Sequence, residues 1–285
     1  MNKKLSIVIV CYNSVRLLPD CLDSIIRYND IADALEIILV DNQSKDRKEL
    51  GELVLKYTCL DIKLYDNSHN GGYGQGNNVG VQYASAPVFV VMNPDVRLVE
   101  PVFQRMLDYL DANPETGLAG VNFEDMSSPL YLKPEFYFMF RMIFVNQLVK
   151  YRLFRLNEMY PAGSFLLVRK DAFLNAGRFD EQIFLYYEEA DLATRMLAAG
   201  YRVDWLKDFY VHHLAHNRTL NVFLLQKEVD SLCYYLDKFK FNKRKFLINR
   251  RSYYQVKYLI AVLTGNTSKK EFFGAWINTL TDKIK

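Results

Sequence analysis

The chain has 285 residues, enough for one large α/β domain or for a domain with an appendage. Half of the residues are hydrophobic, which allows a substantial core, yet no run of about 18 apolar residues offers a membrane-spanning helix. The net charge of +3, taken as an average, indicates no class of partner.

The cysteines are spaced as free thiols and not as metal ligands or disulfide partners. Free buried thiols suit a reducing cytoplasm, where we expect the protein to work. Lys3 and Lys4 precede a strand-like run that is soon broken at Tyr12, so no signal peptide is expected. The four cysteines are Cys11, Cys21, Cys59 and Cys233.

The amino-terminal third alternates apolar strands with amphipathic helices. Buried strands are predicted over Leu5–Cys11, Glu36–Val40 and Ile62–Tyr65, with a helix after each of the first two. This order predicts a parallel sheet with right-handed crossovers. Open α/β sheets bind ligands at the carboxyl ends of their strands. The polar residues expected at that edge are Cys11, Tyr12 and Asn13 after the first strand and Asp41, which also suits a turn or a helix cap, after the second.

A glycine-rich segment, residues 71–74, follows the third strand. It does not fit the dinucleotide-binding fingerprint, because it does not directly follow the first strand. Glycine either lets the backbone approach a ligand and adopt a positive φ, or marks a flexible loop. Asn77 and Asn78 are predicted to lie at the start of the next helix, where exposed N–H groups favour anions.

Val88–Met92 predicts a central buried strand that ends at Asn93 and Pro94, because proline has no N–H to donate. Asp95 therefore emerges at the carboxyl end of that strand, where ligands bind. A carboxylate there is a hard ligand for Mg²⁺ or Mn²⁺, and such ions usually also hold substrate phosphates. The alternative is a plain turn, for which Asn-Pro-Asp is equally suitable.

Carboxylates cluster in the second half of the chain. Glu188, Glu189 and Asp191 open an amphipathic helix. They either complement the helix dipole or, as crowded carboxylates, raise one another's pKa, which is useful in a general base. Upstream, Gly163 and Ser164 precede a strand, where glycine either lets the backbone approach a substrate or forms a β-bulge.

Three of the four histidines follow a strand predicted at Val203–Trp205. A lone histidine is usually structural, but His212, His213 and His216 lie within five residues of one another. Such a density of imidazoles favours a metal or catalytic site.

Seven segments together resemble family 2 glycosyltransferases, and most of all the branch that includes bacterial rhamnosyltransferases. The resemblance covers about residues 5–219. It implies a GT-A fold, a Rossmann-like, mostly parallel sheet flanked by helices, and inverting transfer of a sugar from a nucleotide-diphosphate donor. The segments are, in order, SIVIVCYNS, EIILVDNQSKD, NGGYGQGNNVG, VFVVMNPDV, PAGSFLLVRKDAF, GRFDEQIFLYYEEADLATRMLAAGYRV and VHHLAHNRT.

The resemblance also implies roles for single residues. Asp95 and His212 would hold the Mg²⁺ or Mn²⁺, although this chain has Asn-Pro-Asp where the family has two aspartates. Glu189 takes the place of the usual catalytic base, an aspartate in the family, so Glu188 and Asp191 stay open as alternatives. Asp41 would accept the N3–H of uracil or thymine. The other residues expected to bind substrate are Cys11, Tyr12, Asn13, Gly71, Gly72, Tyr73, Asn77, Asn93, Gly163 and Ser164.

Residues 220–285 lie beyond the resemblance and predict a helical appendage to a catalytic domain of residues 1–219. Lys238–Lys257 contains eight Lys and Arg residues, many aromatic rings and no Asp or Glu. Such a stretch binds anionic lipid surfaces, while a solvated helical face has the same composition. An aromatic and basic segment at 131–156 fits either a membrane interface or the domain's own core. Nucleic acid is not expected, because no nucleic-acid motif accompanies these charges.

We therefore expect a cytoplasmic glycosyltransferase, peripheral on the inner face of the cell membrane and acting in cell-surface polysaccharide synthesis. Its donor would be a dTDP or UDP sugar, with rhamnose as the first candidate, and its acceptor a glycan or a lipid-linked glycan. A sugar nucleotidyltransferase is one alternative, but it would need a Gly/Arg-rich loop after the first strand. A non-catalytic membrane-surface module is another, but it has no need of the carboxylates at 188–191.

Overall fold

The computed structural model describes residues 2–124, 128–136, 150–151, 153–155, 157–214 and 221–285. Much of the 131–156 segment therefore lies outside the described residues, so neither interpretation of it is tested. His216 also falls outside them.

Strands and helices alternate through the first half of the chain, as the apolar periodicity predicts. The strands are β1 (Leu5–Cys11), β2 (Leu35–Asp41), β3 (Ile62–Asp66), β4 (Val88–Met92), β5 (Val96–Leu98), β6 (Thr116–Phe123), β7 (Leu130–Leu132), β8 (Met159–Pro161), β9 (Phe165–Arg169) and β10 (Arg202–His213). The helices are α1 (Leu18–Tyr28), α2 (Arg47–Val54), α3 (Gly72–Tyr83), α4 (Phe103–Ala112), α5 (Lys170–Asn175), α6 (Glu188–Ala198), α7 (Val222–Lys238), α8 (Lys243–Leu263) and α9 (Thr267–Ile284).

Eight strands form one sheet in the order β3-β2-β1-β4-β9-β6-β10-β5. Only β9 and β5 run antiparallel to their neighbours. Strands β1 and β2 are buried on both faces, which explains their continuous apolar sequences. The predicted mostly parallel sheet is confirmed, and β1 has the predicted bounds. Strand β10 is longer than the strand predicted at Val203–Trp205 and includes two of the histidines.

Helices cover both faces of the sheet and bury separate cores against it. Helices α1, α2 and α4 pack on one face, where the core includes Leu22, Leu50 and Phe103. Helices α3, α5 and α6 pack on the other face, around Val8 and Ile38 of the sheet. The result is a three-layer α/β/α arrangement that leaves the carboxyl ends of the central strands open for a ligand.

The three carboxyl-terminal helices share the second core. Buried side chains of α7 belong to the same apolar cluster as Val8 and Ile38, and Trp276 and Leu280 of α9 join them. The boundary predicted between residues 219 and 220 falls at residues outside the description, and the packing joins α7 closely to the sheet's helical layer. Among the described residues, no helix is long and apolar enough to cross a membrane. The buried apolar residues of α7 are Leu225, Val229, Leu232, Tyr235 and Leu236.

Candidate active site

The site begins where β1 and β2 end side by side, with Cys11 and Asp41 paired in register. Asn13 has a φ of 50°, a left-handed conformation that asparagine tolerates better than most residues. Its N–H donates to Ser44 Oγ at 3.0 Å, and its Oδ1 accepts the N–H of Lys45 at 2.8 Å. The two loops are therefore fixed to each other, and this edge of the site is formed in advance of any ligand.

Tyr12, Cys11 and Asp41, all expected to bind the donor, differ in how much of their side chains is exposed. Tyr12 has an exposed side chain, whereas Cys11 is buried in the core, and burial raises the pKa of its thiol. Cys11 therefore offers its backbone, but no reactive side chain, to a ligand. Asp41 is 3% exposed and accepts the N–H of Ser44 at 3.2 and 3.3 Å. That contact is the turn role anticipated for it, and a base-binding role stays a prediction.

The glycine-rich segment is the first turn of helix α3 and not a loop. Gly72 has a φ of +89°, and a Cβ there would lie 1.8 Å from the carbonyl oxygen of Phe184. At Gly80, in the same helix, a Cβ would lie 2.3 Å from Val8 Cγ1 of β1. Both glycines therefore allow close packing of protein against protein, which corrects the flexible-loop interpretation.

Four side-chain amides that sequence reasoning overlooked hold this helix at the sheet edge. Asn42 Nδ2 donates to Asn70 Oδ1 and to the carbonyl of Gly72, both at 3.1 Å. Asn67 Nδ2 donates to Asn42 Oδ1 at 2.6 Å and also bonds Gln75. Asn42 and Asn67 directly follow β2 and β3, and this position was the signal that would have identified them.

Asn77 and Asn78 lie inside α3, not at its start as predicted. Both are buried, and the Asn78 amide is fully used: its Nδ2 donates to the Phe179 carbonyl at 2.9 Å and to Glu181 Oε1 at 3.0 Å. Asn77 is fully buried and donates to the Tyr73 carbonyl at 2.9 Å. The structure therefore does not bring Asn77 to a surface where a substrate would reach it.

The centre of the site forms where β4, β9, α3 and α6 meet. Glu189 Oε1 accepts the N–H of Gly163 at 3.0 Å, and Tyr73 donates its hydroxyl to the Gly163 carbonyl. The N–H of Asn93 donates to the Ser164 carbonyl at 2.9 Å. Five of the predicted residues, from four separate segments, are thereby brought together. A Cβ at Gly163 would lie 2.2 Å from Glu189 Oε1, so only glycine lets the carboxylate bind the backbone here.

Glu188 and Glu189 have different environments although they are neighbours. Glu188 is 2% exposed, and its Oε2 has no hydrogen-bond partner among the described residues. Burial first, and then the charge of Glu189, raise the pKa of Glu188 well above its usual range. Glu189 is half-buried and is held by a backbone N–H. Burial and these two carboxylates also raise the pKa of Tyr73. The arrangement therefore favours the neutral form of Glu188 beside a half-buried Glu189.

Glu188 makes a testable contribution to the pH dependence of stability. The pKa of Glu188 is higher in the folded than in the unfolded protein. Its contribution to the free energy of unfolding is therefore fully present below the usual pKa of a glutamate and is lost as pH rises toward the raised pKa. Glu188→Gln keeps the neutral form at every pH. We therefore expect the melting temperature of this variant, measured from about pH 5 to about pH 9, to fall less than that of the wild type. Parallel curves for the two proteins would contradict the raised pKa, and the exposed Glu52→Gln change is the control.

Asp191 belongs to an ion network and not to the open site. It is fully buried, and it accepts from Arg195 Nε at 2.8 Å and from Lys238 Nζ at 2.5 Å. Lys238 also donates to Asp180 Oδ2 at 2.6 Å. Two cations thus neutralise a carboxylate that solvent does not reach. We therefore remove Asp191 from the candidate bases. Lys238 lies 47 residues away in α7, so no local sequence signal pointed to this contact.

The structure places Asp95 beside His213, with 3.6 Å between Oδ2 and Nε2. The N–H of Leu214 donates to the Asp95 carbonyl at 3.0 Å and fixes the end of β10 at this point. Successive side chains of a strand point to opposite faces, so His212 is directed away from Asp95. The structure therefore places His213, and not the expected His212, beside Asp95, and a metal role for either histidine stays a prediction.

A carboxylate and an imidazole suit a divalent transition ion such as Mn²⁺ better than Mg²⁺, which prefers oxygen. Within the described part of the chain, no group of three His, Cys, Asp or Glu side chains is placed to hold a metal. An ion here would depend on further oxygen atoms from a bound phosphate or from water, as ions that act on phosphates commonly do.

Comparison with known proteins agrees with this geometry. A model of the family described as Glycosyl transferase family 2 matches residues 6–175, more than half of the chain. Rhamnosyltransferase WbbL of Escherichia coli (strain K12) is 26% identical over 206 residues, which cover 66% of this chain and 76% of that protein. The N-acetylglucosaminyl-diphospho-decaprenol L-rhamnosyltransferase of Mycobacterium tuberculosis (strain CDC 1551 / Oshkosh) is 26% identical over 211 residues, 64% of this chain and 68% of that protein.

Two solved structures share the fold over nearly the whole chain. The mannosyltransferase PcManGT of Pyrobaculum calidifontis, in complex with GDP-Man and Mn²⁺, matches with a TM-score of 0.67 at 13% identity and covers 100% of this chain and 87% of that one. TarS 1-349 of S. aureus, in complex with UDP, matches with a TM-score of 0.57 at 13% identity and covers 98% of this chain and 91% of that one. At such identities the likeness shows a common fold.

Proposed function

This chain belongs to glycosyl transferase family 2, and we propose that its donor is a nucleoside-diphosphate sugar. The protein is a glycosyltransferase, since both the family match and the named relatives are of that class. Two relatives are named rhamnosyltransferases, and one is named for an acceptor on a diphospho-decaprenol lipid. We infer rhamnose as the first sugar to test, dTDP before UDP as the nucleotide, and a glycan or lipid-linked acceptor in cell-surface polysaccharide synthesis.

The bond from the Gly163 N–H to Glu189 carries the proposed mechanism. The acceptor hydroxyl attacks the anomeric carbon while the bond from that carbon to the diphosphate oxygen breaks, and its electrons leave on the diphosphate. The hydroxyl proton passes to the Glu189 carboxylate, which acts as the general base. Because a single displacement occurs, the configuration at the anomeric carbon inverts.

Other residues of the site position the reactants. Asp41, Tyr12 and the Asn13 loop stand at the edge where the nucleotide is proposed to bind. Burial disfavours the charged form of Glu188, so Glu189 is the carboxylate of the pair that is proposed to carry the charge. The hydrogen bond from the Gly163 N–H fixes the position of the Glu189 carboxylate. In that position the carboxylate is proposed to face the acceptor hydroxyl. The family match ends at residue 175, so the role of Glu189 rests on this geometry.

Asp95 and His213 are proposed to hold the divalent ion. When bound, the ion would neutralise the charge of the departing diphosphate. With only these two protein ligands, we expect the ion to bind weakly without nucleotide and firmly with it, because the phosphates supply the remaining ligands.

Variants of the two neighbouring histidines test the metal site directly. In calorimetric titrations with UDP and dTDP, Mn²⁺ should increase the affinity of the wild-type protein. Asp95→Asn and His213→Gln should lose that increase, because each removes one ligand, while affinity without metal stays similar. His212→Gln is the matched control and should retain it. Loss of the Mn²⁺ effect in His212→Gln, and not in His213→Gln, would contradict the assignment.

The rival functions are not favoured by the comparisons. A nucleotidyltransferase was expected to carry a Gly/Arg-rich loop after the first strand, and here that loop is the tightly bonded turn around Asn13. The family match and the relatives' names are those of catalytic glycosyltransferases and not of a binding module. The four cysteines are free, which agrees with the proposed cytoplasmic location.

A screen of nucleotide sugars by thermal shift tests the proposed donor. A ligand that binds only the folded protein raises its melting temperature by mass action. At least one dTDP or UDP sugar should do so in the presence of Mn²⁺, and more strongly than an equal concentration of the free sugar. If no nucleotide or nucleotide sugar shifts the melting temperature, the donor proposal fails.

A further inference from the structure

The carboxyl-terminal end of helix α8 exposes an unusual set of large apolar side chains. Leu263 is 86% exposed and Leu259 is 60% exposed, and their neighbours Val256, Ile260 and Val262 are also exposed. Positions 256, 259, 260 and 263 follow the three- and four-residue spacing that places side chains on one face of a helix. We name residues 256–263 the apolar tip. Single exposed apolar residues are ordinary on a protein surface, but a contiguous face of them marks an interaction site.

Lysines stand at both sides of the apolar tip. Lys257 lies within it, and Lys269 and Lys270 open helix α9 just beyond the turn. No Asp or Glu occurs between residues 256 and 270. A lipid surface has phosphate groups on the outside and acyl chains beneath them. The lysines suit the phosphates and the exposed leucines suit the acyl chains, with no acidic residue between them to repel the phosphates.

Part of the Lys238–Lys257 stretch is engaged in contacts within the protein. Lys238 is engaged with Asp180 and Asp191, and Lys243 pairs with Asp237 at 2.6 Å. Many aromatic rings of that stretch also pack inward, as when Tyr254 stacks on Trp276 with ring centroids 4.5 Å apart. Part of the basic and aromatic stretch therefore stabilises the helical layer, whereas the apolar tip at its end is exposed.

Two ion pairs between α7 and α8 show toward which end of α7 the apolar tip lies. Arg250 of α8 bonds Glu228 of α7 at 3.2 Å, and Lys243 bonds Asp237, so the two helices run antiparallel. The tip therefore lies toward the amino-terminal end of α7. Near the middle of α7, Ser231 Oγ donates to the Leu185 carbonyl at 2.8 Å. Leu185 is three residues before Glu188 in the chain, so α7, which is bonded to α8, is also bonded to the segment that leads to the carboxylates.

We propose that the apolar tip inserts into the surface of a bilayer containing anionic lipid. The leucines enter the acyl boundary, and the three lysines meet lipid phosphates. A second copy of this chain fits the tip less well, because a symmetric contact would bring the same lysines of both copies together. The proposal extends the proposed function by placing the enzyme where a lipid-linked acceptor resides. Vesicle binding is measured without donor or acceptor, so either proposal can fail without the other.

Sedimentation of the full chain with lipid vesicles tests the proposal. The protein should sediment with vesicles of phosphatidylcholine and phosphatidylglycerol at low salt, and much less with phosphatidylcholine alone. High salt should release it, because salt screens the lysines. The double variant Leu259→Glu/Leu263→Glu should lower the partition coefficient by about tenfold or more, since it removes two apolar side chains from the acyl boundary.

Matched controls separate the apolar tip from general surface chemistry. Leu55 is 77% exposed on a different part of the chain, so Leu55→Glu makes the same kind of change and should bind vesicles like the wild type. Circular dichroism should show equal folding for all variants, because the altered residues are exposed. The proposal is overturned if the wild type stays in the supernatant at low salt, or if the double variant sediments as well as Leu55→Glu. A third result would also overturn it: the wild type and Leu55→Glu are dimers in sedimentation velocity, the double variant is a monomer, and none of them binds vesicles.

Discussion

Glu189→Gln should reduce sugar transfer by about 10²–10⁴-fold, the usual contribution of a general base, while donor affinity changes little. The amide has the shape of the carboxylate and can still accept the Gly163 N–H through its oxygen. It cannot take the proton of the acceptor hydroxyl. The loss should therefore appear in kcat, measured at saturating donor and acceptor, and not in the calorimetric affinity for the donor.

Glu188→Gln is the matched control, because it makes the same change one residue earlier. Burial and the charge of Glu189 raise the pKa of Glu188 and so favour its neutral form, which glutamine reproduces. Transfer should remain within about an order of magnitude of the wild type. If Glu188→Gln abolishes transfer and Glu189→Gln does not, the roles of the two residues are exchanged and the proposed mechanism is wrong.

Asp191→Asn should be the most destabilising polar change near the site. It leaves Arg195 and Lys238 without the buried carboxylate that neutralises them. Breaking a buried ion pair costs roughly 3–5 kcal/mol, and we expect about 3 kcal/mol here because both cations keep some contact with water. Urea unfolding of the variant, followed by circular dichroism, should show a lower transition midpoint with a similar slope.

A second acidic residue in the same helical layer provides the comparison. Asp230 pairs with Lys283 at 2.7 Å, but both side chains are about 40% exposed. Asp230→Asn should therefore cost less than about 1 kcal/mol, as exposed pairs usually do. If Asp191→Asn and Asp230→Asn lowered the free energy of unfolding equally, the network around Asp191 would contribute no more than a surface ion pair. Lys238→Met should also shift the midpoint, because Lys238 joins α7 to α6 through Asp191.

The sheet was the part of the structure that the sequence predicted best. Apolar runs such as Leu5–Cys11 and Val88–Met92 belong to strands buried on both faces, and such strands differ sharply in composition from the polar turns that follow them. Once strand order is known, the carboxyl edge and its ligand role follow from the topology. The positions of Asn93, Asp95 and Asp41 near that edge were therefore predictable, although their contacts were not.

The structure adds most to the sequence analysis where a contact joins distant parts of the chain. The choice of His213 over His212 depends on which face of β10 meets Asp95, and the sequence predicted a strand too short to include either residue. Asp191 resembled a third candidate base because its cationic partner Lys238 comes from a helix that follows much later. The early start of α3 was missed because glycine usually disfavours helices. Here the glycines of the first turns pack closely against the protein, as at Gly76, where a Cβ would lie 2.8 Å from Val10 Cγ1.

The anomeric configuration of the product, determined by NMR after a single turnover, tests the central claim most directly. The full chain would be incubated with Mn²⁺, labelled dTDP-rhamnose or a UDP sugar that raises its melting temperature, and a lipid-linked glycan acceptor. A single displacement assisted by Glu189 predicts inverted configuration, with one nucleoside diphosphate released for each sugar transferred. Retention of configuration, or transfer at an unchanged rate by Glu189→Gln, would contradict the account.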